Sequence, residues 1–124
     1  MGRESGSRYR GAEKLVPSVA TSTRLREIVG FHCQQAVEKY LKVLLTFYQV
    51  EFPRTHEIDR LVALVSGANP EAADALGRAR WLGPFAVDIR YPGDAAEMLP
   101  GDEVRAVEIA RFAKAVVLRV LDEG

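Results

Sequence analysis

Cysteine and histidine are both scarce in this chain of 124 residues, which contains one cysteine, Cys33, and two histidines, His32 and His56. A single cysteine cannot form an internal disulfide. One cysteine with two histidines cannot supply the four ligands of a usual structural zinc site. These absences predict a cytoplasmic domain that uses no metal and no other cofactor.

An excess of one charge and long apolar runs are also missing. Lysine plus arginine total 17, and aspartate plus glutamate also total 17, so no global positive field attracts nucleic acid or an anionic membrane. The longest apolar runs, such as 115–118, fall far short of the roughly 18 residues that span a bilayer. We therefore expect no membrane and no DNA partner, and any anionic ligand must be held by a local site.

Sequence motifs of several enzyme classes are absent as well. The chain has no P-loop, no dinucleotide-binding glycine pattern, no hydrolase nucleophile elbow and no zincin motif, so those reactions lack their parts. Cys33 follows His32 directly, but consecutive helical positions point about 100° apart, and burial would raise the pKa of the thiol. A cysteine nucleophile is therefore not expected.

The composition that remains is that of one globular domain. Hydrophobic residues make up 48% of the chain, which is enough to build a core at this length. Residues 1–11 are small, polar and basic, and we interpret them as a flexible arm ahead of a single helical domain over 12–124. No segment alternates with period two, so no sheet is expected.

Periodic apolar positions predict the helices. The strongest pattern runs from Arg24 to about Val50 and predicts one long amphipathic helix, which 52–54 should end. Its apolar positions recur at steps of three and four: Leu25, Ile28, Val29, His32, Cys33, Ala36, Val37, Tyr40, Leu41, Leu44, Leu45, Phe47 and Tyr48. Thr55 can cap a second, short helix that Gly67 closes. A weaker helix over 12–19 should break at Pro17.

The second half of the chain predicts two more helices. Asn69 with Pro70 is a favourable helix opening, and Gly83-Pro84 should kink that helix before it ends near Arg90. The last helix should begin at Asp102. Short connections between these elements favour an all-α, antiparallel up-and-down four-helix bundle with additional short helices. The apolar stripe extends around more than half of the circumference of the long helix, and burial of the excess apolar surface favours a homodimer.

The two histidines are the first candidates for chemistry. His32 lies in the apolar stripe, where it either packs in the core or a dimer seam, or acts as a proton-transfer group. His56 should lie in the first turn after the Thr55 cap, where the helix dipole favours the neutral ring, which can accept a proton. The alternative for His56 is an exposed or capping side chain.

Arginines near the ends of helices are the candidates for holding phosphate. Arg54, together with the free amides at the start of the second helix, makes an anion site, unless it is merely solvated. Arg90 either binds free carbonyls at a helix end or binds a phosphate through the paired donors of its guanidinium. The polar residues of the long helix are expected to form a solvated face with an ion pair from Glu38 to Lys42. These polar residues are Gln34, Gln35, Lys39 and Lys42.

Three segments carry a resemblance to a known family. They are FHCQQAVEKYLK at 31–42, PRTHEI at 53–58 and RYP at 90–92, and they resemble the HEPN domain family (higher eukaryote and prokaryote nucleotide-binding). The resemblance implies an all-α bundle, commonly a homodimer. In prokaryotes such a protein is often encoded beside a minimal nucleotidyltransferase and is sometimes the toxin of a toxin–antitoxin pair. Active toxins of this family are metal-independent ribonucleases with an arginine and a histidine at a short spacing in the C-terminal part.

Here no histidine follows His56, and the pair Arg26 and His32 satisfies the spacing only in the early long helix. We therefore predict a non-catalytic dimeric partner of a nucleotidyltransferase, with nucleotide or RNA contact in a cleft formed by Arg54, His56 and Arg90. The first alternative is a metal-independent endoribonuclease that uses His56 or His32 with Arg26, Arg54 or Arg90. The second alternative is a scaffolding bundle whose apolar face binds another helix.

Overall fold

The computed structural model describes residues 19–86 and 98–124, and these form helices and connecting turns without any strand. The α-helices are α1 (Val19–Phe47), α2 (Ile58–Ala68), α3 (Pro70–Ala75) and α4 (Asp102–Glu123), and a 3₁₀ segment (Leu76–Ala86) continues α3. The prediction of an all-α helical bundle is confirmed. The arm at 1–11 and most of the weak helix at 12–19 lie outside the described residues.

The long helix α1 forms the centre of the bundle. One face of its second half is fully buried, with Val37, Leu41, Leu44 and Leu45 at 0% exposure. The helix ends at Phe47, earlier than predicted, because Gln49 takes a left-handed conformation with φ of 60° and the Val50 amide bonds back to the Leu45 carbonyl. The turn that ends α1 therefore precedes the segment 52–54, which was expected to end it.

The start of α2 differs from the prediction. Its N-cap residue is Glu57, and the Thr55 hydroxyl instead accepts a hydrogen bond from the Glu57 amide at 3.1 Å, ahead of the helix. Thr55 therefore orders the approach to α2 rather than capping it, and His56 precedes the helix instead of lying in its first turn. Gly67 also lies inside α2, which ends at Ala68.

The start of α3 agrees with the sequence prediction. The Asn69 side chain accepts from the Ala72 amide at 3.0 Å, and Pro70 occupies the first helical position, where no amide donor is needed. The α-helix changes to 3₁₀ at Leu76, and Phe85 has non-helical angles directly after Pro84. The predicted interruption is therefore present, with regular α-helix lost about two turns earlier than expected.

The helix α4 begins at Asp102, as predicted. Gly101 precedes it with φ of 95°, a conformation that glycine adopts without steric cost. Asp102 and Glu103 accept from the Leu99 and Gly101 amides at 2.8 Å and 3.1 Å. Carboxylates at this end of a helix also face its positive dipole, so α4 is defined by local interactions.

Side-chain contacts fix the direction of α2 relative to α1. His56, just before α2, bonds to Glu38 in the middle of α1, whereas Asn69, just after α2, bonds to the Tyr48 hydroxyl beyond the end of α1. Segment 48–57 therefore doubles back along α1, and α2 runs in the same sense as α1. The reversal of direction that was expected between the first two predicted helices occurs instead at Asn69, after α2.

The contacts around Gly30 show how the second half of the chain returns. A β-carbon placed on Gly30 would lie 2.6 Å from the Met98 sulfur and 3.5 Å from the Phe85 ring, so both residues pack closely on the first half of α1. At the other end, Gly124 packs against Phe47. The 3₁₀ segment thus runs opposite to α1, and α4 runs in the same sense as α1.

The core lies between these elements. It contains apolar side chains from every described element: Val37, Leu41, Leu44, Leu45, Ile58, Leu61, Val62, Val65, Ala72, Ala73, Leu76, Ala79, Leu82, Phe85, Met98, Ala106, Ile109, Ala113, Val116 and Val117. Helix α1 packs against both α2 and α4, and the 3₁₀ segment also contacts all three. Within the described residues, no helix combines the length and the apolar character that crossing a membrane requires.

Candidate functional site

The site with the most developed geometry joins Glu38 in α1 to His56 ahead of α2. The His56 Nδ1 atom lies 3.0 Å and 2.9 Å from the two Glu38 carboxylate oxygens. An ionised carboxylate can only accept, so we assign the proton to Nδ1 as the donor. In the neutral ring this leaves Nε2 as an acceptor. The His56 side chain is 77% exposed, so a ligand can reach it.

The backbone of His56 is fixed by a second residue of α1. Gln34 is 1% exposed, and its Nε2 donates to the His56 carbonyl at 2.9 Å. Gln34 and Glu38 are four positions apart on a helix, so they lie on the same face. One turn of α1 therefore holds both the main chain and the ring of His56.

The carboxylate that orients the histidine is itself held by a cation. The Lys42 ammonium lies 2.8 Å from Glu38 Oε2, and the Glu38 side chain is only 9% exposed. Burial alone raises the pKa of Glu38. The hydrogen bonds and charges of Lys42 and His56 outweigh it, and the pKa lies below its ordinary value. Glu38 is therefore an ionised partner for His56 near neutral pH.

An open cleft of about 450 Å³ lies beside this histidine. Its polar lining comes from His56, Glu57, Asp59 and Arg80, and the rest is formed by Ile58 and the end of the 3₁₀ segment. The Arg80 Nε atom lies 3.4 Å from Asp59 Oδ1. The cleft thus combines an imidazole, a guanidinium and carboxylates, which can contact phosphate and hydroxyl groups of the same ligand.

The part of the sequence that forms these helices and the cleft, including 53–58, matches a known family. A family model for the HEPN domain matches residues 18–123, nearly the whole chain. The chain belongs to the HEPN domain family. Searches of curated proteins and of solved structures returned no match.

Within this HEPN domain, Arg26 and His32 are not brought together in one chain. Positions six apart on an α-helix point about 120° away from each other. Arg26 is half-buried and donates to the Thr23 hydroxyl at 3.1 Å, whereas His32 is exposed and contacts the Phe31 ring. Packing of His32 in the core of a single chain is therefore wrong, and its place in a dimer seam stays a prediction.

The predicted phosphate-binding arginines are placed differently. Arg54 is exposed and lies four residues before α2, so it does not adjoin the free amides of that helix as expected. It also does not line the cleft beside His56. Arg90 lies outside the described residues. Arg80 is the arginine that reaches the cleft, and it was not among the candidates.

The polar face expected on α1 is only partly solvated. Lys39 is exposed, but Gln34 is buried, and the predicted pair of Glu38 with Lys42 is mostly enclosed. Gln34, Glu38 and Leu41 follow the spacing i, i+4, i+7, which is the spacing of the buried face. That spacing is the signal that could have identified Gln34 and Glu38 as site residues.

Cys33 does not line the cleft beside His56. Cys33 is half-buried, and burial raises the pKa of its thiol, which disfavours the thiolate. In the described part of the HEPN domain, no group of three or more histidine, cysteine, aspartate or glutamate side chains is placed to hold a metal ion.

Proposed function

We propose that this HEPN domain binds a nucleotide, alone or as part of RNA, in the cleft beside His56. The observation that carries this proposal is the ring of His56, held at Nδ1 by Glu38 and open to solvent at its other edge. Membership of the HEPN family supports a nucleotide- or RNA-related role. The arrangement uses side chains from α1, the segment before α2 and the 3₁₀ segment.

The charges around the cleft favour a nucleotide over a bare phosphate. Arg80 offers donors to a phosphate group, and the neutral ring of His56 offers an acceptor to a hydroxyl, whereas Glu57 and Asp59 are acids that would repel an isolated anion. Carboxylates also accept hydrogen bonds from ribose hydroxyls. A ligand that carries both a phosphate and hydroxyl groups satisfies both kinds of side chain.

Titration of the whole chain with each nucleoside monophosphate, and separately with inorganic phosphate, tests this assignment. We expect saturable binding of at least one nucleotide, weak binding of phosphate, and about a tenfold loss or more in a His56→Ala variant. The matched control is His32→Ala, which removes the other histidine and should leave the affinity unchanged. The proposal fails if no nucleotide binds, or if both variants lose affinity equally.

We also propose that the chain is a homodimer formed through the outer face of α1. Leu25, Val43 and Phe47 are 49%, 47% and 40% exposed, and an open, largely apolar depression of about 440 Å³ surrounds Val43. A second copy would remove this apolar surface from water. Light scattering should give twice the chain mass. Val43→Glu should shift the mass toward the monomer, whereas Val104→Glu, at an exposed valine of α4, should not.

The family resemblance supports a further proposal, that this dimer acts as the non-catalytic partner of a minimal nucleotidyltransferase in a toxin–antitoxin pair. Co-expression with a nucleotidyltransferase encoded beside it should give a complex that stays together in size-exclusion chromatography. Separate elution of the two purified proteins at micromolar concentration would count against the pairing.

A second candidate function is metal-independent RNA cleavage. The pairing of Glu38 with His56 favours it, since a carboxylate that holds one imidazole nitrogen leaves the other as a general base. In the presence of a chelator, the dimer should then cleave single-stranded RNA, and His56→Ala should abolish cleavage while His32→Ala retains it. Equal cleavage by the unaltered chain and both variants would indicate a contaminating nuclease.

A further inference from the structure

Two arginines lie on aromatic rings along the seam between the 3₁₀ segment and α4. The Arg105 guanidinium carbon is 4.3 Å from the centre of the Trp81 ring, and that of Arg78 is 4.8 Å from the centre of the Phe112 ring. Each pair joins one residue of the 3₁₀ segment to one residue of α4. Both arginines are exposed, and both rings are half-buried beneath them.

These two guanidinium groups are held by rings instead of by acids. Among the described residues, neither Arg78 nor Arg105 has a carboxylate within ion-pair distance, in contrast to Arg80, which reaches Asp59. Stacking fixes the plane of a guanidinium but leaves its N–H donors unused. The acids of α4 nearest to Arg105 are Asp102 and Glu103, which accept from the Leu99 and Gly101 amides, and the exposed Glu108, one turn further along the helix. Within 19–86 and 98–124, the seam therefore presents oriented donors without a bound counter-charge.

The spacing of the two stacks favours a strand over a small ligand. Arg105 and Phe112 are seven residues apart on α4, which separates the stacks by about 10 Å along the helix axis at roughly 1.5 Å per residue. Single-stranded RNA offers phosphates to guanidinium donors and bases that stack on guanidinium planes. The acidic side chains of a peptide offer the charge but no aromatic ring to stack.

We propose that the seam carrying Arg78 and Arg105 is a binding surface for single-stranded RNA. The choice of RNA as ligand rests on the proposed function, but the position does not, because neither arginine lines the cleft beside His56. The two guanidiniums contact phosphates of one strand, and their outer faces support its bases. Glu108 limits the affinity by its charge.

The chain contains one tryptophan, Trp81, directly under Arg105, so its fluorescence reports on this surface. Titration with an oligouridine of about 12 nucleotides, within the site sizes of single-strand binding domains, should give a saturable change in Trp81 emission. Affinities of variants are measured by the anisotropy of a labelled oligouridine, because replacement of Arg105 alters the tryptophan signal itself.

The decisive variant is Arg78→Ala with Arg105→Ala, and its matched control is Arg60→Ala with Arg111→Ala, which removes the same charge from exposed positions elsewhere. We expect the seam variant to lose about tenfold or more in affinity. The log–log slope of affinity against salt should fall by about 1.4, since each phosphate contact to a single strand contributes roughly 0.7. The control should change affinity by less than about twofold, and Glu108→Gln should tighten binding.

A variant with Arg78→Lys and Arg105→Lys separates stacking from charge. It should restore the salt slope but recover only part of the affinity, because lysine keeps the charge and lacks the planar group. Thermal unfolding of each variant tests whether the bundle remains folded, and the lysine variant keeps the test valid if the alanine variant unfolds.

Three outcomes would overturn the proposal that the seam binds RNA. They are no oligouridine binding by the unaltered chain, equal losses in the seam and control variants, and displacement of RNA by polyglutamate at matched ionic strength. The His56→Ala variant should bind oligouridine almost normally. Loss of oligouridine binding in that variant alone would reject the seam and support the cleft, whereas mononucleotide binding tests the cleft independently.

Discussion

Glu38 Oε2 lies 2.9 Å from His56 Nδ1, although the residues are 18 positions apart and belong to different segments. One partner is nearly buried and the other is mostly exposed. This relationship links stability to the site, because the carboxylate that orients the histidine also belongs to the packed side of α1.

The lowered pKa of Glu38 predicts a specific dependence of stability on acid. A carboxyl with a lower pKa in the folded chain stabilises the fold above its ordinary pKa of 4.5, and this contribution is lost as pH falls through the folded-state pKa. The free energy of unfolding should therefore decrease as pH falls below about 4.5. Glu38→Gln should flatten this slope and cost about 1–3 kcal/mol at pH 7.

Urea unfolding at several pH values measures this effect. Glu51→Gln serves as the control, because Glu51 is exposed and has no partner among the described residues. If the free energy of unfolding of Glu38→Gln fell with pH as steeply as that of the unaltered chain, Glu38 would not be the source of the acid dependence.

The close approach at Gly30 predicts opposite effects for two glycine substitutions. Alanine at Gly30 would place a β-carbon 2.6 Å from the sulfur of Met98, which is 2% exposed. Overpacking of this kind costs about 1–3 kcal/mol and outweighs the gain of about 1 kcal/mol in helix propensity. A β-carbon placed on Gly67 would have no atom within 4 Å, so Gly67→Ala should stabilise α2 by up to about 1 kcal/mol.

Thermal unfolding distinguishes these effects, and a second substitution tests the cause. Met98→Ala should cost stability by itself but should suppress the additional cost of Gly30→Ala, because the clashing atoms are gone. Fully additive effects of the two substitutions would mean that Gly30 is not constrained by Met98.

Asn69 has two separable roles at the turn between α2 and α3. Its Oδ1 caps the Ala72 amide at 3.0 Å, and its Nδ2 donates to the Tyr48 hydroxyl at 2.8 Å. Asn69→Ala should cost about 1–2 kcal/mol. Asn69→Asp keeps the cap but loses the donor, so it should cost less, and Tyr48→Phe should add little to it. A double-mutant cycle by urea unfolding measures the coupling, and a coupling energy near zero would refute the contact with Tyr48.

The elements that could be predicted from sequence are those set by local chemistry. Helices α1 and α4 follow from the spacing of their apolar residues, and α3 follows from the cap and proline at 69–70. Each of these signals lies within a few residues of the structure that it specifies. The resemblance at 31–42 and 53–58 likewise identified the family correctly.

His56 was predicted as a site residue, but its partners Gln34, Glu38 and Arg80 could not be predicted, because long-range contacts bring them together. The sequence around Thr55 suggests a cap, but the bonds of His56 to Gln34 and Glu38 hold the segment in an extended path ahead of α2. Its return along α1 also depends on the left-handed Gln49. Pairing of Arg80 with the α2 residue Asp59 arises only once the 3₁₀ segment has folded back.

The neighbouring glutamines of α1 provide a direct test of how His56 is positioned. Gln34 is buried and donates to the His56 carbonyl at 2.9 Å, whereas Gln35 is half-buried and has no hydrogen bond among the described residues. Gln34→Ala should cost about 1–3 kcal/mol and should weaken nucleotide binding at the cleft, because the segment before α2 loses its tether. Gln35→Ala should change stability by less than about 0.5 kcal/mol and leave nucleotide affinity unchanged. Urea unfolding and nucleotide titration measure the two effects separately, and equal behaviour of the two variants in the titration would show that Gln34 does not position His56.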